Sequence, residues 1–203
     1  MNCQSRILSD YLMKDKRYRV VLSEGEILEE LRRQLSKFEE DVRLKTKEKY
    51  PLIGVVGILN GGLYLTVDVS KNLELPNLVE FCKVQLYDGE RKVDVSKKFF
   101  KIEPDYKRLS KVDAILVVDD ICSTGETLKF VVESLRDNIP STEPIPIYTL
   151  TLILDATEGH TAFIPDYYLY VSEESGWFFG YGMDYSKDRE ATRALRCLSQ
   201  EIE

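Results

Sequence analysis

No run of about 18 apolar residues, the least a membrane-spanning helix needs, occurs in this sequence, and the opening MNCQSRILSD lacks the apolar core of a signal peptide. A cytoplasmic protein is the simplest reading. Cysteine is sparse: Cys3, Cys82, Cys122 and Cys197 are scattered, without a CxxC pair, and read as reduced thiols. With His160 as the single histidine, a structural zinc centre lacks ligands, whereas the 35 acids leave room for a hard, oxygen-seeking ion such as magnesium. Positive charge is also short. The 28 Lys and Arg leave a net charge of -7, so the overall field does not favour wrapping nucleic acid or binding an anionic membrane, and no basic strand interleaved with aromatics is present.

What is present suits one domain over 1–203. The 203 residues are enough for one sizeable core with a small flap. A helix is expected over 23–45, opened by Ser23 with Glu26 three positions on as a capping box, and carrying an apolar stripe of Ile27, Leu31, Leu35, Phe38 and Val42. LIGVVGIL after Pro51 reads as a strand buried on both faces, and Asn60, Gly61 and Gly62 turn the chain into a helix. Further strands are expected at 79–87, 114–120 and 147–154, with a shorter YYLYV after Pro165 and a helix from Thr127. This alternation predicts an α/β fold, a Rossmann-like parallel sheet flanked by helices with ligands at the carboxyl ends of its strands. Residues 88–111 stand apart. Eight Lys or Arg against five Asp or Glu give a local +3, the mark of a solvated excursion or mobile flap.

The densest chemistry lies in VDDICSTGET, residues 118–127. Gly125 allows a tight turn with backbone N–H groups pointing inward, while Thr124 and Thr127 place hydroxyls where a helix begins, a combination able to hold phosphate. The bland alternative is a capping turn. Asp119 and Asp120 argue against it, because paired carboxylates are costly to bury yet can accept vicinal hydroxyls or hold a magnesium-bound sugar.

An apolar strand, two acids, two residues and then Ser-Thr-Gly-Glu-Thr resembles the 5-phosphoribosyl 1-pyrophosphate motif of type I phosphoribosyltransferases. ILNGG at 58–62, FCKVQLY and WFFGYGMDY at 177–185 resemble the hypoxanthine-guanine branch. The resemblance runs from Pro51 to Arg193. It implies a magnesium-dependent enzyme transferring phosphoribose to a purine-like nucleobase with release of pyrophosphate, within a type I fold carrying a small hood or flap and assembling as a homodimer or tetramer. It places the ribose hydroxyls and catalytic magnesium on Asp119 and Asp120, and the 5-phosphate on Ser123, Thr124, Gly125, Glu126 and Thr127. It also places pyrophosphate near Asn60, Gly61 and Arg189, a second magnesium on Asp184, and the base against Trp177 and Phe178. Residues 88–111, with Tyr87 before them, become the lid.

Several positions depart from that pattern. Purine-using relatives usually carry Asp where Ser123 stands, and a serine hydroxyl is a poor general base. The base-edge lysine aligns with Asp155, which would repel a carbonyl oxygen and accept from an amino or ring N–H. Asn60 replaces the turn lysine, and Leu86 the lid serine beside Tyr87. An intact sugar-phosphate motif with altered base-side residues leaves a second reading open, a noncatalytic 5-phosphoribosyl 1-pyrophosphate or nucleotide sensor.

Overall fold

The computed structural model describes residues 17–89, 92–157, 163–174, 176–183 and 196–202. Its centre is a six-stranded sheet of β2 (Ile53–Ile58), β3 (Asn77–Gly89), β4 (Lys92–Ile102), β5 (Ala114–Cys122), β6 (Ile147–Asp155) and β7 (Tyr167–Ser172), in the order β4-β3-β2-β5-β6-β7. All neighbours are parallel except β3 and β4. Every residue of β2 is buried, as its unbroken apolar run predicts for a strand covered on both faces.

Helix α1 (Glu24–Thr46) starts with the expected capping box. The Ser23 hydroxyl accepts from the Glu26 amide, and the Glu26 carboxylate accepts from the Ser23 amide. Its stripe packs with α2 (Leu63–Asn72) on one face of the sheet, where the Phe38 ring meets Tyr148 and Tyr167 edge-on at 5.4 and 5.9 Å. The opposite face is covered by a one-turn helix, α3 (Tyr106–Leu109), and by α4 (Glu126–Asn138) through Leu128, Val131, Val132 and Leu135. No described helix is long and apolar enough to cross a membrane.

Two features go beyond the sequence expectation. The strand at 79–87 and the first part of the charged excursion form one antiparallel hairpin, β3 with β4, in which Gln85 pairs with Phe99 and Gly89 with Lys92. Phe100 tethers it to α4, its ring 5.1 Å from Phe130. Near its end Leu109, and Val112 just past it, are buried among the core side chains under β5, while Glu103, Asp105, Lys107, Arg108 and Lys111 stay exposed. Secondly, a small antiparallel sheet joins β1 (Arg17–Leu22), β9 (Leu198–Ile202) and β8 (Phe178–Phe179) in the order β1-β9-β8. The charged alternation RYRVVL gives little apolar signal by itself, and a partner 181 residues away completes it, as in the Arg19 to Gln200 hydrogen bond.

Candidate active site

The carboxyl ends of β2, β5 and β6 and the turn before β8 bring the candidate residues to one edge of the sheet. β5 runs through both acids and ends at Cys122, after which Ser123, Thr124 and Gly125 turn into α4. Gly125 holds φ +80°, and a Cβ there would lie 2.0 Å from the Phe163 carbonyl oxygen. Only glycine fits this turn without strain. Gly125, the residue before α4, has no side chain to cap it, the Glu126 amide donates to Thr124 Oγ1 at 3.4 Å, and the first turn borders a cavity of about 170 Å³ lined by Asp119 and residues 121–128. A helix N-terminus bordering a cavity can hold an anion.

Asp119 is buried, and its Oδ1 accepts the Asp120 amide at 3.0 Å. Burial, then the charge of Asp120 and a hydrogen bond with it, holds its carboxyl well above the usual carboxylate range. Nearby thiols feel the same surroundings. Burial and, secondarily, Asp119 push Cys82 up to about 12 and Cys122 up to about 11, so both stay protonated and neither serves as a nucleophile near neutral pH.

The Asp120 carboxylate lies against the turn after β2. A Cβ on Gly61 would fall 1.7 Å from Asp120 Oδ2, and Gly182 packs directly on the Gly61 carbonyl. The Leu59–Asn60 peptide is cis. Asn60 is exposed, and its Oδ1 accepts from Lys83 Nζ at 3.2 Å. Lys83 therefore brings from β3 the cation that the turn itself lacks. Sequence reading passed over it because nothing local links position 83 to position 60. It also passed over the Tyr181 hydroxyl, which donates to Asp68 of α2 and ties the segment after β8 to the helix that follows the turn.

On the other flank, Ser123 Oγ donates to Asp155 Oδ2 at 3.2 Å, while Asp155 Oδ1 accepts from the Thr157 amide at 3.0 Å and its hydroxyl at 2.6 Å. Asp155 ends β6 opposite Ser172, the last residue of β7. Trp177 follows a few residues later and is 58% exposed, whereas Phe178 is buried with its ring 6.3 Å from Tyr170. Thr124 and Glu126 are exposed at the cavity rim, and Thr127 is half-buried. The structure thus gathers Asn60, Gly61, Asp119, Asp120, Ser123–Thr127 and Asp155 along one edge. Tyr87 lies on the backbone of the β3–β4 hairpin. Asp184, Arg189 and His160 lie outside the described residues.

This fold, with such a strand-end arrangement, points to a phosphoribosyltransferase. The phosphoribosyl transferase domain family matches residues 23–186, and the chain belongs to it as a type I member catalysing phosphoribosyl transfer. Within the family it is closely related to the hypoxanthine-guanine branch. It is 27% identical over 184 residues to the hypoxanthine-guanine phosphoribosyltransferase of Streptococcus pneumoniae, covering 91% of this chain and 94% of the relative. With the hypoxanthine phosphoribosyltransferase of Haemophilus influenzae it shares 26% over 178 residues, 86% and 92% of the two chains. The crystal structure of a hypoxanthine phosphoribosyltransferase from Staphylococcus aureus has the same fold, with a TM-score of 0.74, 22% identity and 93% of each chain covered.

Proposed function

We propose that this enzyme transfers the phosphoribosyl group of 5-phosphoribosyl 1-pyrophosphate to a purine-like nucleobase, with magnesium, and releases pyrophosphate. The observation that carries this reading is the cavity bounded by Asp119 and residues 121–128, in which the start of α4 adjoins the buried Asp119 carboxyl, with the half-buried Asp120 next to it in the chain. One end suits a phosphate and the other suits hydroxyls, at the two ends of a single sugar phosphate.

In this reading the amides of 123–127 hold the 5-phosphate, and Asp119 and Asp120 accept the ribose hydroxyls. The Asn60–Gly61 turn and Lys83 face the pyrophosphate, with Arg189 a further candidate for that end. Trp177 offers an exposed ring to the base and Phe178 a backbone edge. The base nitrogen N9 forms a bond to ribose C1 as the C1–O bond breaks, its electron pair leaves with pyrophosphate, and the proton on the other imidazole nitrogen passes to water. Lys83 and the backbone donors meet the charge that grows on the leaving group, while the β3–β4 hairpin, with Tyr87, closes over it and excludes water.

The residues fit magnesium. Two adjoining carboxyls, one of them with its pKa raised by burial and then by the charge of the other, form a hard oxygen donor pair that a divalent cation would relieve. Asp119 and Asp120 would hold it, with Asp184 a candidate for a second ion. When bound, magnesium supplies Lewis-acid neutralisation of the pyrophosphate.

Asp120→Asn tests the placement. Isothermal titration with 5-phosphoribosyl 1-pyrophosphate and magnesium should show binding weakened about 10- to 100-fold, the worth of a hydrogen bond to a charged group, with an unchanged circular-dichroism spectrum. Undiminished affinity would put the sugar phosphate elsewhere.

A further inference from the structure

The order β5-β6-β7 sets the base side of the site. The phosphate end lies after β5 and Trp177 lies after β7, so a base attached to a sugar held at β5 and stacked toward Trp177 crosses the carboxyl end of β6. Asp155 is the residue standing there.

Its hydrogen bonds fix what that crossing point offers. A carboxylate has about four acceptor positions and no donor. Three are filled: Oδ2 by the Ser123 hydroxyl, and Oδ1 by the Thr157 amide and hydroxyl. These donors are thereby spent on Asp155 itself, and among the described residues no second donor reaches Oδ2. Among the described residues no lysine or arginine pairs with this carboxylate, and Lys83 is engaged with Asn60 on the other side of β5.

Resting on the reaction proposed above, we infer that Asp155, held by Ser123 and Thr157, selects a base whose edge donates, so that 6-aminopurines are preferred to 6-oxopurines. An amino group at C6 donates to the remaining position on Oδ2; an N7–H, which both classes of purine carry when N9 attacks, does not separate them. A 6-oxo group sets an oxygen against a carboxylate and leaves both unpaired, the arrangement by which polar sites discriminate most strongly. Ser123 is a positioning residue, because its hydroxyl orients Asp155. The preference changes none of the bonds made or broken in transfer.

The test is a panel of adenine, 2,6-diaminopurine, hypoxanthine, guanine and xanthine with the full chain, 5-phosphoribosyl 1-pyrophosphate and magnesium. For the wild type, kcat/KM with adenine is expected to exceed that with hypoxanthine by about 100-fold or more. Asp155→Asn supplies an amide donor in nearly the same volume and should lower that ratio at least about tenfold, while Ser123→Ala should lower it less. Equal wild-type use of adenine and hypoxanthine, or an unchanged ratio in Asp155→Asn, would overturn the inference. Binding of adenosine and inosine 5′-monophosphates, followed by fluorescence of the single tryptophan, Trp177, gives a readout independent of turnover. Tighter adenosine monophosphate binding without transfer to any base would uphold the selectivity while rejecting the reaction; equal binding of the two nucleotides would overturn the selectivity whatever the turnover.

Discussion

Gly61→Ala is expected to lower kcat/KM at least about 100-fold without unfolding the protein. The added methyl would sit 1.7 Å from Asp120 Oδ2 and 2.4 Å from its Cγ, closer than non-bonded atoms can approach, so the carboxylate must swing off the turn. Such a displacement is about an ångström or more, enough to misplace both the ribose acceptor and the turn facing the leaving group. The sheet beneath is untouched, since the clash falls on a side-chain end rather than on a core strand. Gly25→Ala is the matched control. Its Cβ would meet nothing closer than Ser23 Oγ at 4.0 Å, and an alanine inside α1 should be neutral or stabilising by roughly 0.5–1 kcal/mol. Steady-state kinetics and thermal melts on the two variants separate the effects. Activity of Gly61→Ala within about threefold of wild type would show that Asp120 does not act from this position.

Asp119→Asn is expected to stabilise the ligand-free protein at neutral pH while weakening sugar-phosphate binding by an order of magnitude or more. Burial and the adjacent Asp120 raise the folded-state pKa of Asp119. The folded chain then binds a proton that the unfolded chain has already released, so this group's contribution is most favourable below its unfolded pKa, near pH 4, and is lost as pH rises through the folded value. Asparagine cannot ionise, and its Oδ1 can still accept the Asp120 amide. The variant's melting temperature should therefore exceed that of wild type near neutral pH, by about 2–4 °C for each kcal/mol recovered, and the gap should close as pH falls to about 4. Melts across this range with ligand absent check the sign. A gap that stays constant with pH, or a variant less stable at neutral pH, would mean that Asp119 carries no buried-charge cost. Stability gained where binding is lost is expected of a group held for a ligand rather than for the fold.

How far these features could be read beforehand depends on the distance over which each is determined. Helix α1 was legible from Ser23, Glu26 and an apolar stripe within two dozen residues, and β2 from its unbroken apolar run. The turn at 123–127 was legible because its strand, acids, glycine and helix are consecutive. The small sheet was not, because β1 gains its partners only from β9, at the far end of the chain. The burial of Leu109 in the charged excursion and of Val112 just past it was hidden for a related reason: they look like isolated apolar residues among charges until the sheet supplies the surface that buries them. At the site, Lys83 beside Asn60 and Ser123 beside Asp155 are contacts between separate strand ends, 23 and 32 residues apart, which no local pattern encodes. Asp155 was named through a family resemblance, but its bonds to Ser123 and Thr157 required coordinates.

Release of pyrophosphate tests the central claim most directly. The wild-type enzyme, supplied with magnesium and 5-phosphoribosyl 1-pyrophosphate, should release one pyrophosphate for each nucleotide formed with at least one purine in the panel, and should release far less when base is omitted. Tight, magnesium-dependent binding of 5-phosphoribosyl 1-pyrophosphate with no base-dependent pyrophosphate release from any purine would contradict the account, leaving a sugar-phosphate site that does not transfer.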